Sequence, residues 1–232
     1  VLFGYSLAFG PDTGAGIIGD FSLAGLRGVG AVPDPWYAAT IPHLAFMIFQ
    51  AMFAIITPAL IVGSIAERIR FSAFVAFVLL WTTLVYDPIA HWVWGQGGWM
   101  RHLGALDFAG GLVVHISAGV SSLVLALLIG HRIGFARTAF PPHNLPFTVL
   151  GGSLLWFGWF GFNAGSALAA DGLAAVAFVN TNIAAAAAGL AWAVIDRIQN
   201  GVPTMLGMVT GTVAGLVAIT PACGYVDPLS SI

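Results

Sequence analysis

Six long apolar segments, separated by polar loops, restrict the fold of this chain more than any other feature of its sequence. Each segment is close to the roughly 20 residues that an α-helix needs to cross a bilayer. Only 7% of the residues are charged, whereas a soluble domain carries about 25%. The sequence therefore predicts an all-α, polytopic transmembrane helix bundle embedded in a lipid bilayer. The predicted spanning helices are residues 42–65, 71–95, 108–130, 146–167, 172–196 and 202–221, and residues 4–10 end another helix.

The loops predict an orientation. Those at residues 66–70, 131–145 and 197–201 carry five of the seven arginines, so the positive-inside rule places them in the cytoplasm. The loops at 11–41, 97–107 and 168–171 are then outside. We expect a multi-pass protein of the plasma or inner membrane. The net charge of −2 gives no indication of a nucleic-acid partner.

The chain reads as one transmembrane domain over residues 1–232. It begins with Val1 and ends without a polar tail, so we expect an internal part of a longer membrane protein. The single cysteine, Cys223, excludes an internal disulfide and a cysteine-based metal site.

Small residues recur at helical spacing and predict close helix packing. Gly207, Gly211 and Gly215 are four residues apart, as are Gly161 and Gly165. Alanines fill residues 184–188 and a glycine follows them. Such spacing lets membrane helices approach closely.

A histidine in an otherwise apolar helix is the leading functional candidate. Asp107 opens a glycine-rich turn and His115 follows eight residues later, about 12 Å along a helix and near the middle of a membrane. Asp107 is placed to cap that helix by accepting backbone N–H bonds. His115 is alternatively a packing residue bonded to a carbonyl or to a hydroxyl such as Ser117 or Ser121.

Aromatic residues and one hydroxyl group lie at the predicted outer helix ends. Phe49 and Phe53 share a helix face, as do Phe162 and Ser166, and Trp94 ends the 71–95 helix. Ring faces attract a small cation by about 0.5–2 kcal/mol each, and a hydroxyl oxygen accepts one hydrogen bond. Lipid-facing aromatics are the ordinary alternative for each ring.

Seven sequence blocks, which together sample most of the chain, resemble the ammonium transporter (Amt/Mep/Rh) family, in its bacterial and plant Amt type. They are DFAGG (107–111) with VVHI (113–116), AERIRF (66–71), AHWVWG (90–95), HNLP (143–146), GWFGFNAGS (158–166), AFVNT (177–181) and TPACGY (220–225). The resemblance implies an eleven-helix fold, of which this chain holds the end of helix two through helix eight. It also implies a homotrimer without cofactor or metal, and a transporter rather than an enzyme.

The same resemblance implies roles for particular residues. The external ammonium site corresponds to Trp94, Ser166, Phe49 and Phe53, and the gate below it corresponds to Phe53 and Phe162. His115 corresponds to the first of two pore histidines, and the second has no counterpart here. The implied partners are ammonium or ammonia, methylammonium, and a nitrogen-signalling PII-type regulator on the cytoplasmic face.

Other functions compete with transport. The same fold can act as an ammonium sensor with little flux. An intramembrane serine hydrolase would use Ser166 as nucleophile and His115 as base. A water channel is disfavoured because no Asn-Pro-Ala pair occurs in the chain.

Overall fold

The computed structural model describes residues 1–232, and the chain is helical, with two isolated β-bridges and no strand. Its residues group into two compact units. The first unit contains Val1–Leu106 and Leu112–Thr138, and the second contains Asp107–Gly111 and Ala139–Ile232. The all-α fold class is confirmed, while the single domain over residues 1–232 stays a prediction.

The first unit is built from two packed helix pairs. Its helices are α1 (Gly4–Phe9), α2 (His43–Ile65), α3 (Phe71–Trp81), α4 (Asp87–Trp94), α5 (Trp99–His102) and α6 (Ser117–Ile129). A π-helical segment, Thr82–Tyr86, joins α3 to α4, so these three form one continuous helix. Helix α1 packs against α4 and α2 packs against α6. The predicted helix end at residues 4–10 is confirmed.

The second unit is a three-helix arrangement in which α8 and α9 form the closest pair. Its helices are α7 (Leu145–Ala164), α8 (Gly172–Asn200) and α9 (Met205–Ile219). Each begins at a polar residue, Asn144, Asp171 or Thr204, whose side chain accepts a backbone N–H from the first turn. These caps satisfy donors that a helix leaves unpaired.

Buried amides hold the second unit together internally. The Asn163 amide donates to the Thr181 hydroxyl at 2.9 Å. The Asn180 amide donates to the carbonyls of Cys223 and Val226, each at 2.8 Å. Both asparagines are fully buried, and unpaired amides are costly in an apolar interior. These bonds therefore attach α7 and the segment after α9 to α8.

Five helical segments, rather than the predicted six, are long and apolar enough to cross a membrane. They are His43–Ile65, Phe71–His102, Gly111–Ile129, Leu145–Gly165 and Gly172–Asn200. Helix α9 has 15 residues, which corresponds to about 22 Å, and so is shorter than the predicted 202–221. The Thr204 cap sets its start, and Pro221, which lacks an N–H, follows its last turn.

The glycine stripe on α9 makes the predicted close contact with α8. Gly207, Gly211 and Gly215 are all buried. A Cβ atom at Gly211 would lie 2.6 Å from the Trp192 Cβ and 2.7 Å from the Ala188 carbonyl oxygen. Gly161 makes no such contact within this chain, because that position is exposed and a Cβ there would meet nothing within 4 Å.

These two glycines give a matched test of helix packing. We expect Gly211→Ala to lower the free energy of unfolding by about 1–3 kcal/mol, because the added methyl group overpacks the α8–α9 contact. Gly161→Ala should leave stability unchanged or raise it by up to about 1 kcal/mol through helix propensity. Unfolding in mixed detergent micelles measures both. Equal effects of the two substitutions would contradict the packing described here.

Candidate functional site

Three aromatic rings meet where α4 ends. Phe49 and Phe53 lie one turn apart on α2, with ring centroids 4.9 Å apart and an interplanar angle of 84°. The Phe53 ring also meets Trp94, with centroids 5.5 Å apart and planes inclined by 77°. Phe53 is buried, whereas Phe49 and Trp94 remain partly exposed. Three of the predicted site residues thus form one cluster in the first unit, with ring surface available to a small cation.

The loop at residues 11–41 fixes the backbone around Trp94. The Arg101 guanidinium donates to the Trp94 carbonyl at 3.1 Å and lies 4.4 Å from the centroid of the Trp36 ring. The Tyr37 hydroxyl donates to the Phe9 carbonyl at 2.8 Å and accepts from the Gln96 N–H at 3.0 Å. Burial raises the pKa of Tyr37 to about 12, so this hydroxyl keeps its proton at neutral pH.

His115 lies in a π-helical segment, Gly111–Ile116, that leads directly into α6. The predicted helix start at about residue 108 is wrong, because residues 108–110 form a bend and the helical segment starts at Gly111. His115 is therefore the fifth residue of the helix, about 6 Å along the axis from Gly111. The predicted 12 Å counted helical rise from Asp107, and residues 107–110 are not helical. Its side chain is half-buried. Single π-turns within helices are frequent at functional sites.

Asp107 organises the turn before that segment. Its Oδ1 atom accepts the N–H of Gly110 at 2.8 Å and the N–H of Gly111 at 2.6 Å. The Phe108 N–H donates to the Pro221 carbonyl at 3.1 Å, and a Cβ atom on Gly111 would collide with the Pro221 ring. This is the cap geometry expected from the sequence. The support that Asp107 gives to His115 stays a prediction.

The serines near His115 have other partners. The Ser117 hydroxyl donates to the Val113 carbonyl at 2.6 Å. The Ser121 hydroxyl accepts the Trp81 indole N–H at 3.0 Å. The Ser117 bond lies within its own helix, whereas the Ser121 bond joins α6 to α3.

The second unit contains the remaining predicted residues, Phe162 and Ser166. The Ser166 hydroxyl donates to the Phe162 carbonyl at 2.8 Å, so its oxygen is left with lone pairs that accept. The Phe162 ring stacks on Trp159 with centroids 5.0 Å apart. Trp159 is held by its indole N–H, which donates to the Thr220 hydroxyl at 2.9 Å. Phe162 therefore rests on a fixed, buried ring.

Two buried ionisable residues on α4 received no functional role from the sequence. His91 is fully buried and its ring contacts Asp12, which is 79 residues away in sequence. Asp87 is 4% exposed and lies in the first turn of α4, beside Gly4. The sequence shows the AHWVWG block, which contains His91, and the acidic loop, which contains Asp12. Only the folded chain shows that these two residues are in contact.

The helices define the class: this is a multi-pass helical membrane protein. Its sequence matches the family model described as Ammonium Transporter Family over residues 1–232. The chain belongs to that family, as the sequence blocks predicted. Because this is a family of transporters, the prediction that the protein is not an enzyme is confirmed and the serine hydrolase alternative is set aside.

Individual relatives agree with the family match. The chain is 60% identical over 232 residues to the ammonium transporter of Bacillus subtilis, covering 100% of this chain and 56% of that protein. It is 50% identical to ammonium transporter Amt1 of Archaeoglobus fulgidus, with the same two coverages. The chain thus spans about half the length of the curated relatives it matches.

Solved structures show the same fold. Saccharomyces cerevisiae Mep2 matches with a TM-score of 0.92 and 43% identity, covering 99% of this chain and 53% of that one. A structure titled "Sensor Amt Protein" matches with a TM-score of 0.87 and 33% identity, covering 99% of this chain and 57% of that one.

The cap at Asp107 can be compared with the cap at Asp171, which accepts the Ala174 N–H at the start of α8. Replacing a capping aspartate by alanine costs about 0.5–2 kcal/mol, so both Asp107→Ala and Asp171→Ala should lower the unfolding midpoint. We expect only Asp107→Ala to reduce methylammonium uptake in addition, because that cap precedes His115. Uptake that follows stability equally in both variants would contradict a supporting role for Asp107.

Proposed function

We propose that the protein transports ammonium across the membrane, selecting the cation outside and passing it inwards as neutral ammonia. The observation that carries this proposal is the match of the whole chain to ammonium transporters at up to 60% identity in the relatives compared. Trp94, Phe49 and Phe53 contribute aromatic faces for a cation. From the family resemblance, we also propose the Ser166 oxygen as a hydrogen-bond acceptor for the ion, and Phe53 and Phe162 as the gate.

The energetics of desolvation favour passage of the neutral form. Moving an ammonium-sized ion into a medium of low dielectric constant has an idealised cost of about 20 kcal/mol, and several kcal/mol remain after relaxation. Removing a proton from an amine whose pKa lies about 2–3 units above neutral costs roughly 3–4 kcal/mol. Deprotonation before entry is therefore the cheaper route. The proton must then travel separately.

His115 is proposed to act on the deprotonated species. Its ring is half-buried in an apolar helix, where a neutral imidazole can donate one hydrogen bond and accept another. Ammonia needs both kinds of partner to replace water. A titratable residue in a membrane helix is also a natural carrier of the separated proton.

A sensor with the same fold is the second candidate, because one of the similar solved structures is titled as a sensor. Its identity to this chain is 33%, against 60% for the Bacillus subtilis transporter. Ammonium binding without flux would identify a sensor. The homotrimer and the PII-type regulator remain predictions from the family resemblance.

The role of His115 is tested by a histidine substitution with a matched control. We expect His115→Ala to lower methylammonium uptake about 5- to 10-fold, the effect of losing a hydrogen bond worth about 1–1.5 kcal/mol. His102→Ala removes an exposed histidine from α5 and should leave uptake unchanged. If uptake persists in His115→Ala, ammonia does not depend on this ring.

The role of Trp94 is tested in the same way. Trp94→Leu should weaken methylammonium binding about 2- to 30-fold, the range of one cation–π contact, and should reduce discrimination among cations. Trp99→Leu is the control, since this tryptophan is exposed and its link to Gly16 uses its backbone N–H. Competition assays in vesicles measure both. Equal effects of the two substitutions would argue against a cation site at Trp94.

A further inference from the structure

A buried histidine joins the loop at residues 11–20 to α4. The His91 side chain has no exposed surface. Its Nδ1 atom lies 3.0 Å from the Ala8 carbonyl oxygen, and its Nε2 atom lies 3.1 Å from Asp12 Oδ1. Both ring nitrogens thus face oxygen atoms at hydrogen-bond distance, one from the end of α1 and one from the loop.

Asp12 is an acceptor in this arrangement. Its other oxygen, Oδ2, accepts the Gly14 N–H at 2.6 Å. Partial desolvation works against ionisation, but the hydrogen bonds from the Gly16 and Gly14 backbones and from His91 lower the pKa of Asp12 below its ordinary value of 3.8. Asp12 is therefore a carboxylate at neutral pH, and its contribution to stability is lost only as the pH falls below that ordinary value.

A carbonyl and a carboxylate can accept hydrogen bonds but cannot donate them. A neutral imidazole has one N–H and one lone pair, so it would point a lone pair at one of these two oxygens. Only the doubly protonated ring satisfies both contacts. We propose that His91 is held as an imidazolium between Ala8 and Asp12, and that this charged latch positions Trp94 for cation binding. The second part of the proposal rests on the proposed transport function.

The latch is connected directly to the end of α4 that carries Trp94. Trp94 follows His91 by three residues, and the Gly95 N–H donates to the His91 carbonyl at 2.9 Å. The Trp92 indole donates to the Ile17 carbonyl at 2.8 Å, and the Trp99 N–H donates to the Gly16 carbonyl at 3.1 Å. The loop is thereby fastened along the whole helix end.

The loop and the helix end also pack without spare room. Gly97 has a φ of +95°, and a Cβ atom there would lie 2.6 Å from the Asp12 Cβ. A Cβ atom on Gly95 would lie 2.5 Å from His91 Nδ1. A shift of the ring would therefore be transmitted to the backbone that follows Trp94.

The charges around the ring determine how the latch depends on pH. Asp12 faces it from the loop, and Asp87 lies one turn earlier on the same helix. Nearby, the Tyr37 hydroxyl donates to the Phe9 carbonyl and the Arg101 guanidinium donates to the Trp94 carbonyl. The Asp20 carboxylate accepts the Ser22 hydroxyl within the loop. A neutral ring in this position would set a lone pair against one of the two oxygen atoms. Protonation of Asp12 at low pH removes the charge pair.

The protonation state can be observed directly, without any transport assay. Nitrogen NMR of the histidine-labelled protein in lipid nanodiscs should show two protonated ring nitrogens for His91 at neutral pH. The signal is assigned by its absence in His91→Gln or, if that variant does not fold, by its selective change in Asp12→Asn. Asp12→Asn should convert the ring to a neutral tautomer, since an asparagine amide can donate to Nε2. A neutral His91 in the unmodified protein would overturn the proposal.

The link to Trp94 is tested by the pH profile of methylammonium binding. Binding to the unmodified protein should weaken about two- to fivefold as the latch loses its charge, the range expected for one ion pair. Asp12→Asn should remove this pH dependence. Asp20→Asn, which changes a carboxylate bonded to Ser22 rather than to His91, should preserve it. A profile that is unchanged in Asp12→Asn would overturn the positioning role.

The two proposals fail in distinguishable ways. If the unmodified protein binds no methylammonium at any pH, the proposed transport function is wrong and with it the positioning role. The NMR measurement still decides the charge of His91 in that case.

Discussion

Lipid offers no hydrogen bonds, so every backbone N–H and carbonyl within the membrane must find its partner inside the protein. The long continuous helices of this chain follow from that requirement. It also restricts where the backbone can depart from the regular α-helix. Two π-helical segments, Thr82–Tyr86 and Gly111–Ile116, change the helical register without breaking the helix, and a 3₁₀ turn, Gly165–Ala167, follows α7. The second π-helical segment carries His115, the residue on which the proposed pathway depends most.

Polar side chains obey the same constraint. Within the second unit, Asn163 and Asn180 are buried and their amide groups donate to Thr181 and to backbone carbonyls. The Ser166 hydroxyl donates a hydrogen bond to the Phe162 carbonyl, which leaves its oxygen able to accept a hydrogen bond from a cation. The proposed ammonium site offers acceptors and aromatic faces rather than a full negative charge, which suits an ion that must be released again after it is bound.

The presence of the long helices could be predicted from the sequence, because an apolar run of about 20 residues in a protein with so few charges is typical of a membrane-spanning helix. The aromatic cluster was predicted in part: the spacing of Phe49 and Phe53 placed them on one face, and the family resemblance added Trp94. The start of the helix that carries His115 was predicted about one turn too early, because the glycine-rich segment after Asp107 is not helical. The predicted helix at residues 202–221 is longer than α9, because the apolar sequence extends to Pro221, whereas the helix ends at Ile219.

Contacts between distant residues could not be predicted. The bond between His91 and Asp12 joins positions 79 residues apart, and no periodicity encodes it. The spacing of Gly161 and Gly165 is another example. Small residues at this spacing allow a second helix to approach closely, but they do not show which helix does so, and Gly161 has no close neighbour within this chain. Sequence patterns therefore predicted the helices and which residues share a helix face. Which faces and loops contact one another could be seen only in the folded chain.

The central claim is that the transported species gives up a proton before it crosses. Potassium is a small monovalent cation that carries no proton, so it separates this account from simple cation passage. The most direct measurement compares ammonium and potassium flux through the purified protein in sealed vesicles under equal gradients. The account predicts ammonium flux well above that of empty vesicles and no potassium flux above that background. Potassium flux comparable with that of ammonium would contradict it.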